Sequence, residues 1–457
     1  MIIQIEYDPI RNAAILSFRE DAKTDSWHWR TIIENLYNSI SEITQDNGTI
    51  IIPFDLFLSV RFEVANYARN HEIRITVSDA LKNALKQENI RTYGSAIKKS
   101  ALSTQAIKEK LKAIGFQREL TDNQLNNLSK IGPLPSGATF SVPGAGKTTE
   151  ALAYFFLNAS PSDKLLVVAP KNAFGAWDEQ LADCMMNPDM QFVRLRGGSD
   201  KIERLLKYAP SFAIITYQQY PRVSDLIERF LRNNTVFMFL DESHRIKSGR
   251  SGISADSILR AAYMPKQKLI MSGTPMPQSV KDLIPQFHFL YPEKGVNDSN
   301  VIDLMMPIYV RTTSGQLGIP AVEHRRVTLA MTPLQTEIYQ SIKQETKRQI
   351  IPFLSDLSKA SLREINKKVM KVMQFVSNPA LLARDVEYIF DRKLSDLLAL
   401  ETGPKIDYAC QRARELASQG KKVIIWSQFV ENVELIAERL KDRSEEHTSE
   451  LQSLAYL

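Results

Sequence analysis

The chain has 457 residues, 44% hydrophobic and 24% charged, with a formal net charge of +6. That length allows roughly two to four domains with large cores, and the basic excess is compatible with a nucleic-acid track without being diagnostic of one. Two distant cysteines (Cys184, Cys410), six unclustered histidines and no apolar run of membrane-spanning length argue for a cytoplasmic, reducing setting and against disulfides, structural zinc or a membrane span.

The opening Met1–Glu6 alternates like a strand and lacks the charged leader and apolar core of a signal peptide. Residues 1–95 read as an accessory α/β module. It comprises a hairpin (Ile2–Tyr7, Ala14–Phe18), helix Trp27–Ser41, strand Thr49–Ile52, helix Phe57–Ala68, strand Glu72–Val77 and helix Asp79–Lys86. No chemistry is legible in it, and targeting, binding of a protein partner and autoinhibition all stay open. Trp27, His28 and Trp29 are a base-stacking group or, more commonly at a helix start, packing residues. Residues 96–114 form a basic helical linker with Lys98, Lys99, Lys108, Lys110 and Lys112. A charge run of this kind is by itself a solvated helix face.

From 115 to 325, apolar runs at Leu165–Val168, Phe212–Thr216, Val236–Leu240 and Leu269–Met271 alternate with helical patterns. The expected class is α/β, a doubly wound parallel sheet with ligands at the strand ends. Ser141-Val-Pro143-Gly144-Ala145-Gly146-Lys147-Thr148 is a phosphate-loop pattern, with serine where its strict form has glycine. Backbone N–H groups of the turn and of the helix from Thr149 would surround phosphates, Lys147 would reach the terminal ones, and Thr148 would offer its hydroxyl to Mg²⁺. The run Val236–Leu240 delivers Asp241 and Glu242 to a strand end, for metal and attacking water respectively. Together these two segments point to a nucleoside triphosphate.

An ordered set of further segments carries a resemblance: Leu120–Gln124, Val167–Pro170 with Asn172, Trp177 and Glu179, Ile214–Tyr217, Asp241–Lys247, Ser272–Pro275 with Gln278, and Pro307–Thr312. Beyond these come Gln335–Tyr339, Asn378-Pro379, Gly403-Pro-Lys405 and Val423–Phe429. In that order they resemble the Swi/Snf family of superfamily-two helicase-like ATPases over about residues 115 to 442. Ser-Val-Pro-Gly-Ala-Gly before the lysine departs from the Asp-Glu-Met-Gly-Leu-Gly of eukaryotic remodellers and is nearer to bacterial and phage relatives, or to strand-separating helicases of the same superfamily. The resemblance implies RecA-like lobes, with ATP and Mg²⁺ as cofactors and Gln124 reading the adenine edge. It adds His244, Ser272, Gly273 and Thr274 as a relay to the nucleic-acid surface, and Lys171, Thr216 and Tyr217 as DNA contacts. The partner would be duplex DNA, gripped through its phosphates without sequence preference.

Residues 326–402, with helices Leu334–Gln349 and Ser361–Val376, look like the helical insertion and linker of that family; Arg363, Lys367, Lys368 and Lys371 lie on the second helix. Residues 403–442 look like the beginning of a second RecA-like lobe, with strand Val423–Trp426 and helix Glu431–Lys441. Arg443–Ser453 matches a translated sequencing-adapter oligonucleotide, so residues 443–457 are expected to be non-native. The family's arginine finger would then be missing, and this chain is expected to bind ATP with little turnover. The predicted function is an ATP-dependent DNA translocase, located in the cytoplasm, or on the nucleoid in a bacterium. The alternatives are a strand-separating helicase, a restriction-type translocase subunit and a nucleotide-gated DNA-binding protein without motor activity.

Overall fold

The computed structural model describes residues 2–19, 25–39, 43–46, 48–89, 92–187, 190–320, 322–353, 358–384 and 403–441. The predicted non-native tail lies outside them. The chain divides into two compact units, one ending at Pro320 and the other following it.

The first unit opens with a five-stranded sheet in the order β3-β4-β2-β1-β5. Its strands are β1 (Ile2–Asp8), β2 (Ala13–Arg19), β3 (Thr44–Asp46), β4 (Thr49–Pro53) and β5 (Arg74–Val77). Ile3 and Ile5 alternate inward on β1, as a one-sided sheet requires. Helices α1 (Asp25–Ser39), α2 (Phe54–Asn70) and α3 (Asp79–Asn89) accompany it, and Ile32, Leu36, Phe57 and Val64 share one apolar core with the strands. Trp29 is buried and stacks on Phe18 at 4.8 Å, whereas Trp27 is 61% exposed. Tyr263 and Met264, from the larger sheet's domain, pack against this same core.

The larger sheet has seven strands in the order β12-β6-β11-β10-β7-β9-β8, and every described pairing in it is parallel. They are β6 (Ser136–Thr139), β7 (Lys164–Val168), β8 (Val193–Arg194), β9 (Phe212–Ile215), β10 (Val236–Asp241), β11 (Gln267–Met271) and β12 (Tyr309–Val310). Around them, in chain order, run α4 (Tyr93–Ala96), α5 (Thr104–Ala113), α6 (Asp122–Ile131), α7 (Lys147–Asn158), α8 (Phe174–Met185), α9 (Ser199–Lys207), α10 (Ser224–Asn233), α11 (Ile253–Arg260), α12 (Leu283–Leu290) and α13 (Val301–Met305). The central strands β7 and β10 are apolar along nearly their whole length and almost wholly buried, because a doubly wound sheet is covered on both faces. The α/β class and the doubly wound parallel sheet are as predicted. On α5 the buried stripe is Ile107 and Leu111, which leaves Lys108, Lys110 and Lys112 on the solvated face.

The second unit contains α14 (Pro333–Ile350), α15 (Lys359–Ser377), α16 (Pro404–Ser418) and α17 (Val430–Arg439). Thr332 caps α14 reciprocally with Gln335, and Pro333 takes the first helical position, where its missing N–H costs nothing. One expectation is corrected here: Val423–Trp426 forms no strand, and Ile424 and Trp426 are 79% and 81% exposed. A strand exists only where a neighbour completes its backbone hydrogen bonds, and no described residue pairs with this run.

Candidate nucleotide site

The phosphate loop follows β6 and enters α7 through Gly146, whose φ of 74° is left-handed. The conformation itself calls for glycine, and a Cβ on Gly146 would come within 2.5 Å of Gln124 Nε2 and push that side chain off its place. The first-turn amides of α7 have no carbonyl partner within the helix, and the positive end of its dipole meets the loop. Pro143 and Gly144 are exposed, Ala145 closes a turn by donating to Val142 O (3.2 Å), and Thr148 is half-buried. Lys147 Nζ arches over the loop and donates to Ser141 O (3.0 Å) and Val142 O (3.4 Å). Thr149 is buried and donates its hydroxyl to Gln180 Oε1 (2.7 Å). The serine at 141 is a structural choice: its buried Oγ accepts from Thr312 N (2.9 Å) and lies 3.2 Å from Thr139 Oγ1.

Asp241 and Glu242 close β10 at the same end of the sheet. Asp241 Oδ2 accepts from Trp177 Nε1 (3.0 Å) and Oδ1 from Glu242 N (3.0 Å). Burial raises the Asp241 pKa, with Glu242 adding to it, while Trp177, the Glu242 amide and Lys147 pull the other way. Glu242 has a φ of 52°, a left-handed position for a residue with a side chain. Strain of this kind concentrates where the backbone must aim one functional group.

His244 Nδ1 lies 2.9 Å from Ser272 Oγ and 3.4 Å from Glu242 Oε2. Burial lowers its pKa, Glu242 opposes that, and Arg245 and Lys247 reinforce it. Ser272 Oγ also accepts from Thr274 N (3.1 Å), and a Cβ at Gly273 would come within 3.1 Å of Pro143 Cδ. The segment 272–274 therefore touches the acidic pair through His244 and the phosphate loop through Pro143.

Of the predicted DNA contacts, Lys171 is exposed after β7 and Thr216 is half-buried after the neighbouring β9. Tyr217 lies in the interior, 3% exposed, and its hydroxyl donates to Asp241 O (2.7 Å). Gln124 is also committed: Oε1 accepts from Thr121 N (2.9 Å) in the capping box of α6, and Nε2 donates to Gly146 O (3.1 Å).

Sequence reasoning passed over Glu150, Asn127 and Thr312. Glu150, on α7, is 1% exposed; Oε2 accepts from Asn127 Nδ2 (2.8 Å) and Oε1 has no hydrogen-bond partner. Burial pushes its carboxyl up to about 7, against the pull of Asn127, Thr139 and Lys147. The available signal was an acidic residue directly at the head of the apolar run Ala151–Leu157.

A left-handed glycine turn, a lysine, a helix N-terminus and an acidic strand end thus converge at the carboxyl edge of one parallel sheet. The loop offers an anion what it needs, and Thr148 with Asp241 offers the oxygen donors a hard divalent cation prefers. Residues 137–300 match the family described as the SNF2-related domain. Its curated relatives include the CHD3-type chromatin-remodeling factor CHR7 of Arabidopsis thaliana, 23% identical over 64% of this chain and 25% of that protein. Another is the ATP-dependent helicase FUN30 of Saccharomyces cerevisiae, 22% identical over 59% of this chain and 24% of that one. The chain thus spans about a quarter of the length of these relatives. Among solved structures, the Hef helicase domain of Pyrococcus furiosus is 14% identical with a TM-score of 0.41, covering 75% of this chain and 81% of that one. The matched stretch 137–300 takes in β6 from its second residue, β7 to β11, and all of the phosphate-loop and acidic-pair residues.

Proposed function

We propose that this chain carries the ATP-binding lobe of a DNA-dependent ATPase that moves along duplex DNA. The observation that carries the reading is the convergence of Lys147, Asp241, Glu242 and the His244–Ser272 contact on one sheet edge, inside an SNF2-related domain. Backbone N–H groups of Gly144–Thr149 and Lys147 would hold the phosphates, and Thr148 and Asp241 would hold Mg²⁺. A bound Mg²⁺ supplies neutralising charge at the phosphates. Glu242, its carboxylate half-exposed and its backbone locked by Asp241, would orient the attacking water and accept its proton. His244 and Ser272–Thr274 would carry the state of the acidic pair outward. Gln124 acts on the loop through Gly146 and keeps one N–H and one lone pair for the adenine edge. Lys171 and Thr216 are the proposed phosphate contacts to DNA, and Tyr217 sets the backbone of Asp241 from within.

Low turnover by this chain is part of the proposal. Among described residues 403–441, Arg412 pairs with Glu415, Arg414 donates to Arg439 O, and Arg439 pairs with Asp407. Each arginine among these residues is engaged locally. A bacterial or phage-type member of the family is the version proposed.

The deciding experiment measures nucleotide binding and ATP hydrolysis with and without duplex DNA. Binding of Mg·ATP by the wild type, lost in Lys147→Ala, supports the reading. In the natural full-length protein, Glu242→Gln should retain binding and lower DNA-stimulated turnover at least about a hundredfold, as removal of a catalytic base does. Undiminished turnover in the full-length Glu242→Gln protein would overturn the assignment. Separation of a forked duplex would favour a strand-separating helicase, and DNA affinity that responds to unhydrolysed ATP would favour a nucleotide-gated binder.

A further inference from the structure

Thr312 lies two residues after β12, in the segment that leads to the end of the first unit at Pro320, and each of its hydrogen-bonding atoms is spent on the phosphate loop or its support. Its N–H donates to Ser141 Oγ (2.9 Å), its carbonyl accepts from Val142 N (3.1 Å), and its Oγ1 accepts from Asn127 Nδ2 (3.1 Å). Asn127, 8% exposed, uses the same amide nitrogen on Glu150 Oε2 (2.8 Å), so one NH₂ group forks between the exit segment and helix α7. The same pairing runs back along β6, where Ala138 N donates to Ile308 O (3.0 Å) and Phe140 N to Val310 O (2.9 Å). Helix α6 adds Asn123 Nδ2 to Gln316 O (3.3 Å), Lys130 Nζ to Met306 O (3.2 Å) and Gln124 Nε2 to Gly146 O. The carbonyls that receive Lys147, those of Ser141 and Val142, belong to the two residues Thr312 holds.

We propose that Asn127 and Thr312 are positioning residues that make the geometry of the phosphate loop depend on the segment Ile308–Gln316 leaving the lobe. The inference rests on the nucleotide-binding reading above. Neither side chain is assigned a contact with the nucleotide. They fix the two ends of the loop, Ser141–Val142 through Thr312 and α7 through Glu150, and the buried amide allows no water to substitute. Linkage is reciprocal: a ligand that stabilises the held form of the loop must also stabilise the pairing of the exit segment, and release of that segment must weaken the ligand. The residues beyond Pro320 thereby gain a route to the nucleotide through the backbone they share with Thr312.

The test uses the full chain and Mg·ADP as the probe. Amide hydrogen exchange across residues 306–316 should slow on adding Mg·ADP to the wild type, and this protection should vanish in Asn127→Leu. In equilibrium titrations, Asn127→Leu and Thr312→Val should each weaken Mg·ADP by roughly fivefold, the scale of one buried hydrogen bond, and the double variant should be no weaker than the worse single one. Thr312→Ser keeps the hydroxyl and should restore wild-type affinity. Wild-type binding with no change in exchange at 306–316, or single effects that multiply in the double variant, would overturn the coupling while leaving the nucleotide site intact. Failure of the wild type to bind Mg·ADP at all would overturn both readings.

Discussion

At Glu150 the energetic consequence of burial has a sign that can be worked out. Its carboxyl sits near 7 in the folded chain against 4.5 in its ordinary state. Between those values the folded protein holds a proton that the unfolded chain releases. The stabilising contribution is therefore complete below 4.5 and lost as pH rises through 7, up to roughly 3 kcal/mol in all. Denaturant titrations at about pH 5 and about pH 8 should show this loss, and Glu150→Gln should flatten it. A second residue makes the opposite kind of prediction. Burial pushes the Cys184 thiol up to about 12, so alkylation at neutral pH should be slow in the native chain and fast after unfolding. The placement of Lys147, Asp241 and Glu242 at one sheet edge was legible because a glycine-spaced turn and the end of an apolar run are both written in sequence. The bond from Tyr217 to the Asp241 carbonyl was not, because a tyrosine after a strand reads the same whether its ring turns inward or outward.

Among the elements, long apolar runs announced themselves, and β7, β9, β10 and β11 lie within a few residues of their predicted limits. β6 did not: of Ser136-Gly-Ala-Thr139 only the final threonine is of the branched or aromatic kind that favours strands, yet all four are buried between β11 and β12. Position in the sheet made it a strand, and a sequence window contains no sheet. β12 is shorter still, two residues whose role comes from what they pair with. The tryptophans of α1 show the other ambiguity. Trp29→Ala should cost about 3–5 kcal/mol of stability through the cavity left against Phe18, and Trp27→Ala should change stability by about 0.5 kcal/mol or less. Paired chemical denaturation curves would separate the packing residue from the exposed one.

Over the whole molecule, the first unit holds both sheets, and the second is helical with small cores around Ile338 and Ile406. The accessory module has its own core and sheet, but Tyr263 and Met264 tie it to the lobe, a contact that its sequence gives no sign of. In the second unit, Ile424 and Trp426 present apolar surface to solvent. Such a run is a site for association, and Trp426→Lys should lower the concentration-dependent increase in sedimentation rate of this chain. The same four tryptophans divide by surroundings in a way an optical experiment can use. Trp27 and Trp426 are in water, Trp29 is packed in the small module, and Trp177 is wholly buried with its indole N–H on Asp241. The proposed metal ligand is thus wired to a fluorophore. Any cation or phosphate that redistributes charge on that carboxylate shifts the field along the indole, and in a Trp27→Phe, Trp29→Phe, Trp426→Phe background the site would report its own occupancy as a change in emission colour.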